Sequence, residues 1–228
     1  LDNVSIQIRR GEIHGLCGEN GAGKSTLMKI LSGVYPQGTY EGTILYDGQE
    51  LKLGTGSIRQ ARELGIAIVY QELTLVPQMT VGENVFLGKE PVLAGSIDWN
   101  KLYADTRDIL TTYRLDVQPQ AVVRHLGVGK MQMVEIAKAL SENAKILILD
   151  EPTSALSESE IDKLMEILEN LRSHGVTCIY ITHKLEEFFR ITDSVTILRD
   201  GKTVTTQPTK QLTREKLVSY MVGREMKE

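Results

Sequence analysis

The sequence predicts an α/β fold with a mainly parallel β-sheet core, a small antiparallel β element and an inserted helical subdomain. Short apolar runs of strand length alternate with helical patterns along the 228 residues. A glycine-rich loop joins the first apolar run directly to a helical pattern. Continuously apolar strands that alternate with helices are typical of a parallel sheet covered on both faces.

Four apolar runs predict the strands of the core. They are "GEIHGLC" (11–17), "GIAIVYQ" (65–71), "KILILDE" (145–151) and "GVTCIYITH" (175–183). Two further stretches, "GTILYDGQELKL" and "VTILRDGKTVT", contain the pairs Asp47-Gly48 and Asp200-Gly201. Because Asp-Gly favours the tight turn of a hairpin, both stretches predict antiparallel strand pairs.

The clearest helix is predicted after Ser157. Glu160 stands three residues later and completes a capping box, and Gly175 follows the end of the apolar stripe. From about 72 to 143 the strand patterns cease and a helix is predicted over 98–113. We therefore expect one domain over 1–228, with its core and antiparallel element in 1–71 and 144–228 and a helical subdomain at about 72–143.

The composition is that of a globular domain and excludes several classes of protein. Hydrophobic residues make up 41% and charged residues 25% of the chain, and the net charge is −4. This negative net charge gives no indication of a surface that binds nucleic acid. No apolar run approaches the ~20 residues of a membrane-spanning helix. Cys17 and Cys178 lie far apart in apolar runs, so we expect buried thiols and no disulfide or metal site.

The glycine-rich loop predicts a phosphate-binding site. Its pattern is G-x-x-x-x-G-K-[ST], placed between an apolar strand and a helix as this motif requires. Glycines let successive N–H groups point at phosphate oxygens, and the helix N-terminus adds partial positive charge. We expect Lys24 to reach the β- and γ-phosphates and Ser25 to ligate Mg²⁺. The residues predicted to bind the nucleotide here are Gly18, Glu19, Asn20, Gly21, Ala22, Gly23, Lys24, Ser25 and Thr26.

Polar residues close three other predicted strands, at the sheet edge where ligands bind. Asp150 is expected to help hold Mg²⁺, and Glu151 to orient or deprotonate the water that attacks the γ-phosphate. Gln71 is expected to ligate Mg²⁺ or that water, and His183 to contact the γ-phosphate. Glu151, Gln71 and His183, each taken alone, would favour a solvated or structural side chain, but their joint occurrence beside the glycine-rich loop favours the functional interpretation.

This set of motifs resembles the nucleotide-binding domain of ATP-binding cassette (ABC) ATPases, which are P-loop NTPases with a RecA-like core. The matching pieces are Walker A at 18–26, the Q-loop at Gln71, the signature at 126–132, Walker B at 146–151 and the H-loop at His183. The resemblance covers essentially the whole chain and implies ATP and Mg²⁺ as cofactors and Lys24, Glu151 and His183 as catalytic residues. It also implies an aromatic residue ahead of residue 1 that stacks on adenine.

A finer resemblance is to the first cassette of bacterial monosaccharide importers, and within these to the xylose importers. The resemblance to monosaccharide importers is based on "YQELTLVPQMTVGENVFLG", "THKLEE" and "MVGRE", and the resemblance to the xylose importers on "YPQGTYEG" together with "LGVG". Such ATPases usually carry two cassettes in one polypeptide, so this chain is expected to be the N-terminal half. The implied partners are the second cassette, membrane permease subunits and, indirectly, a sugar-binding protein, at the cytoplasmic face of the membrane.

The signature departs from the family pattern L-S-G-G-Q. Here it reads Leu126, Gly127, Val128, Gly129 and Lys130. In the family it opens a helix and faces the ATP held by the partner cassette. The missing hydroxyl removes a hydrogen bond worth about 1.5–3 kcal/mol. Lys130 opposes the helix dipole, attracts phosphate or is simply solvated, and these interpretations stay open.

These features predict an ATP hydrolase that drives a sugar importer, with an intact site of its own and a weakened signature that serves its partner's site. One alternative is a regulatory cassette with weak hydrolysis, which the altered signature favours. Another is a soluble non-transport ABC ATPase. The absence of long coiled-coil insertions and of Lys/Arg-dense runs argues against that second alternative.

Overall fold

The structure is a computed structural model that describes residues 1–223, and in it the predicted α/β architecture is confirmed. The last five positions of the expected domain, including part of "MVGRE", lie outside the described residues. The strands are β1 (Ile13–Cys17), β2 (Leu45–Tyr46), β3 (Gln49–Glu50), β4 (Ile66–Val69), β5 (Val92–Leu93), β6 (Ser96–Ile97), β7 (Ile146–Asp150), β8 (Thr177–Ile181), β9 (Ser194–Arg199) and β10 (Lys202–Pro208).

The helices include every helix expected from the sequence. They are α1 (Lys24–Leu31), α2 (Ser57–Glu63), α3 (Val81–Val85), α4 (Trp99–Thr112), α5 (Val128–Ser141), α6 (Glu158–Ser173), α7 (Leu185–Ile191) and α8 (Arg214–Val222). Single 3₁₀ turns lie at Val123–His125 and Thr209–Gln211. None of the helices in residues 1–223 is both long and apolar enough to cross a membrane.

The capping box predicted for α6 is confirmed. The N–H of Ser157 donates to Oε2 of Glu160 at 2.9 Å, and Gly175, with φ of 80°, follows the helix. This reciprocal capping satisfies donors that the first helical turn would otherwise leave unpaired. The start and end of α6 are therefore local properties of the sequence.

Six strands form the main sheet in the order β10-β9-β1-β8-β7-β4. The pairs β9–β1, β1–β8, β8–β7 and β7–β4 are parallel, and only β10 runs antiparallel to its neighbour. The hairpin predicted at Asp200 therefore forms, but it extends the main sheet. The hairpin at Asp47 forms a separate sheet of two strands, β2 and β3. The carboxyl ends of the five parallel strands, β9, β1, β8, β7 and β4, consequently meet at one edge.

The core lies on both faces of the main sheet, because successive side chains of a strand point to opposite sides. Leu147 and Leu149 of β7 pack with the helices on one face, whereas Ile148 packs with α1 and α2 residues on the other. Cys17 and Cys178 are buried, free thiols, as expected, and desolvation raises the pKa of each to about 12.

Between β4 and β7, the chain contributes α3, α4, α5 and no strand of the main sheet. These three helices pack against one another, and α5 also contacts β4. The structure adds the two-residue strands β5 and β6, which the sequence did not indicate. Their turn places Ala94 at φ 49° before Gly95 at φ 82°. Alanine is rare in that conformation, so the turn had no recognisable signal.

Candidate active site

The glycine-rich loop lies between the end of β1 and the start of α1, as its motif requires. Gly21 and Gly23 have φ of 84° and 107°, a region that side chains with a Cβ rarely adopt. No side chain caps the N-terminus of α1 at Gly23. The loop and the first turn of α1 enclose a cavity of about 200 Å³. A concave loop at an uncapped helix N-terminus is suited to bind phosphate.

The ammonium group of Lys24 is turned toward the loop itself. Its Nζ donates to the carbonyl oxygens of Gly18 and Glu19, the latter at 3.2 Å. These carbonyls hold the positive charge at the rim of the cavity. Phosphate oxygens are stronger, charged acceptors and would compete for the same donor.

Asp150 ends β7 as the sequence predicted, and its carboxyl is half-buried. Its pKa is raised, first because burial desolvates the charged form and second because Glu151 adds a neighbouring negative charge, while Lys24 opposes the shift. A bound cation would relieve both effects. No cluster of three or more His, Cys, Asp or Glu side chains that could hold a metal exists in residues 1–223. The single carboxylate of Asp150 nevertheless fits Mg²⁺, because this ion is often held by one carboxylate together with substrate phosphates and water.

Glu151 and His183 lie side by side. Nδ1 of His183 is 2.9 Å from Oε2 of Glu151. A carboxylate only accepts hydrogen bonds, so Nδ1 carries the proton in this contact. The Glu151 side chain is 17% exposed and that of His183 is 69% exposed. Glu151 is therefore partly buried, and His183 lies on its solvent side. Glu151 has φ of 47°, and its N–H donates to the carbonyl of Ile181 at the end of β8.

Gln71 lies two residues beyond β4 and is exposed. Val69 pairs with Leu149 in the sheet, so the chain leaves β4 at the same edge as Asp150 leaves β7. The following loop is anchored by Glu135, a buried residue of α5 that the sequence analysis missed. Its Oε1 accepts hydrogen bonds from the N–H and the hydroxyl of Thr74. A carboxylate within the largely apolar run "MVEIAKAL" was the available signal.

The signature residues lie at the N-terminus of α5, as expected. Gly127 is the N-cap, Val128 and Lys130 are exposed, and Gly129 is buried. The N–H of Gly129 donates to Oε1 of Glu160 at 3.3 Å. Among the residues that the structure describes, no hydrogen bond or ion pair joins the signature to the glycine-rich loop. The two motifs therefore do not meet as one site within the chain.

The strand, glycine-rich loop and helix, with carboxylates at the end of a nearby parallel strand, define a P-loop nucleotide-binding domain. A family model described as "ABC transporter" matches residues 1–154. The chain therefore belongs to the ABC transporter family.

Relatives and solved structures agree with that assignment. The xylose import ATP-binding protein XylG of Thermoanaerobacter pseudethanolicus is 59% identical over 226 residues, 99% of this chain and 44% of that protein. The L-arabinose transport ATP-binding protein AraG of Geobacillus stearothermophilus is 50% identical over 228 residues, 99% of this chain and 44% of that protein. The chain thus spans less than half the length of these relatives.

A solved ATP-binding cassette, MJ0796, has the same fold. Its structure, described as a dimer in a post-hydrolysis state bound to ADP and Pi, superposes with a TM-score of 0.75 at 27% identity. The match covers 93% of this chain and 91% of that one. Because the match extends over nearly the whole of both chains, the two proteins share the same overall fold.

Proposed function

We propose that this chain is an ATP-binding and ATP-hydrolysing cassette that drives a bacterial monosaccharide importer. The observation that carries the proposal is the pairing of Glu151 with His183 at 2.9 Å, beside the half-buried Asp150. A partly buried carboxylate held by a histidine suits a group that must align a water molecule.

The loop 18–26 binds the phosphates through its N–H groups, and Lys24 shifts from its own loop carbonyls to the β- and γ-phosphates. Ser25, Asp150 and Gln71 would hold Mg²⁺, with Asp150 acting through water. The ion would supply charge neutralisation on the phosphates. Glu151 orients the water in line with the γ-phosphate, and His183 contacts that phosphate. Such catalysis depends on positioning and charge neutralisation more than on covalent chemistry.

The second site requires a partner cassette. Within one chain the signature is separate from the glycine-rich loop, so we place it against the ATP of a second cassette. The solved dimeric relative and the length of the curated relatives support this arrangement. Because Gly127 has no hydroxyl, the partner's site is the weaker of the two. A regulatory cassette with weak hydrolysis is the second candidate, and Gly127 is the observation that favours it.

We infer that the helices of about 72–143 form the helical subdomain that contacts a membrane permease, at the cytoplasmic face of the membrane. The names of the relatives support a pentose as the transported sugar, and xylose is the first to test.

The test has two stages. The purified chain should hydrolyse ATP only with Mg²⁺, and Glu151→Gln should bind ATP without turnover. In vesicles that hold the permease, the second cassette and the binding protein, xylose should stimulate hydrolysis. ATP binding without turnover in that full assembly would favour the regulatory cassette, and stimulation by arabinose instead of xylose would reassign the sugar.

A further inference from the structure

A buried carboxylate, Glu187, lies close in the chain to His183 of the Glu151–His183 pair. Glu187 is in the first turn of α7 and is 6% exposed. Its Oε1 accepts a hydrogen bond from the hydroxyl of Thr153 at 2.6 Å, and its Oε2 accepts one from the hydroxyl of Tyr180, also at 2.6 Å. Both donors are fully buried. Short bonds from buried hydroxyls to a carboxylate are among the stronger hydrogen bonds in proteins.

The surroundings keep these bonds in place. Desolvation and the neighbouring Glu187 raise the pKa of Tyr180 well above its usual range, so its hydroxyl remains a donor. Nζ of Lys184 is 3.8 Å from Oε1 of Glu187 and donates to the carbonyl of Thr153 at 3.1 Å. The buried negative charge thus has a compensating cation, as buried charges require.

Glu187 joins two segments that carry the reacting groups. Thr153 stands two residues after Glu151, and Glu187 stands four residues after His183. The Thr153–Glu187 bond therefore links the same two segments as the Glu151–His183 contact, but through buried side chains. Two contacts between two short segments define their relative position far better than one.

We propose that Glu187 is a positioning residue that holds the loop after Glu151 and the loop of His183 in register. This inference rests on the proposed hydrolysis of ATP by the same site. Displacing a reacting group by about 1 Å costs up to about 100-fold in rate. Loss of the Glu187 contacts therefore lowers kcat, while the glycine-rich loop keeps its affinity for nucleotide.

The test compares Glu187→Gln with Glu186→Gln. The first substitution keeps the size of the side chain, but an NH₂ group replaces one of the two acceptor oxygens. Glu186 is the matched control, because it lies in the same helical turn but, among residues 1–223, its side chain forms only an exposed ion pair with Arg214. We expect kcat to fall about 10- to 100-fold in Glu187→Gln with the Kd for ATP unchanged. Glu186→Gln should behave as the parent chain.

A second pair of variants separates positioning from loss of folding. Thr153→Val removes the hydroxyl and should lower kcat as Glu187→Gln does, whereas Thr153→Ser keeps the hydroxyl and should restore it. Hydrogen exchange of the nucleotide-free chain provides a readout that does not need turnover. Amides of 151–157 and 183–187 should exchange faster in Glu187→Gln than in Glu186→Gln.

The two proposals fail in distinguishable ways. No turnover in the parent chain with its partners would reject the proposed function, and the exchange rates would still decide whether Glu187 orders the two loops. Equal kcat and equal exchange in Glu187→Gln and Glu186→Gln would overturn the positioning role. A failure of Thr153→Ser to restore kcat would contradict the part assigned to the hydroxyl.

Discussion

Gly127→Ser should increase ATP hydrolysis by the isolated chain, because it restores the hydroxyl that the signature lacks. Gly127 is the N-cap of α5 at φ −71° and ψ 165°, an extended conformation that any residue adopts. A Cβ at this position would have Glu160 Oε1 as its nearest neighbour, at 3.9 Å. The serine therefore fits without displacing another group.

The magnitude follows from the contact that is restored. A hydrogen bond to a charged phosphate oxygen is worth about 1.5–3 kcal/mol. If it forms fully in the transition state, this corresponds to roughly a 10- to 150-fold increase in kcat. The effect on folding is much smaller, because serine and glycine differ by only about a few tenths of a kcal/mol at an N-cap.

The assay is steady-state hydrolysis of Mg-ATP over a series of protein concentrations, since two cassettes must pair. Gly127→Ala is the matched control, because it adds the Cβ without the hydroxyl, and we expect no gain from it. The same kcat in Gly127→Ser as in the parent chain would refute the reasoning. An equal gain in Gly127→Ala would show that the missing hydroxyl is not the cause.

The remaining predictions concern the charged groups. Lys24→Ala should abolish binding of a fluorescent ATP analogue, and retained affinity would remove Lys24 from the phosphate site. His183→Ala should lower kcat about 10²-fold or more with little change in Kd, because it releases Glu151 from its 2.9 Å partner, and an unchanged kcat would contradict that pairing. Burial alone would raise the pKa of Glu12, but hydrogen bonds from His14, the Arg9 N–H and the Ser194 hydroxyl lower it below 4.5. Glu12 therefore stabilises the fold above pH 4.5, and this contribution is lost as the pH falls through its folded-state pKa. Glu12→Gln should be less stable at pH 7, with a difference that shrinks in acid unfolding curves, and a difference independent of pH would contradict the linkage.

Much of the candidate site was predictable because its chemistry is local. The loop 18–26 and its helix are contiguous, so their spacing alone predicts a phosphate cavity. Asp150 and Glu151 end a recognisable strand, and parallel strands bring their carboxyl ends to one edge. Ser157 and Glu160 cap a helix through contacts within four residues.

The residues that the sequence analysis missed act over long separations. Glu135 binds the loop at Thr74, 61 residues away, and Glu187 binds Thr153 across 34 residues. In the sequence both carboxylates look like ordinary polar positions on a helix. Only packing reveals that each is buried and which donors it meets.

The sequence by itself determined the fold class, the four predicted core strands and the phosphate-binding motif, because strand alternation, helix capping and glycine conformations are set by neighbouring residues. The tertiary structure alone decided three further features. It placed β9 parallel to β1, brought His183 to Glu151 across 32 residues, and buried Glu187 between two hydroxyls. The reason is that burial and pairing depend on which distant segments pack together, and local sequence patterns do not specify those contacts.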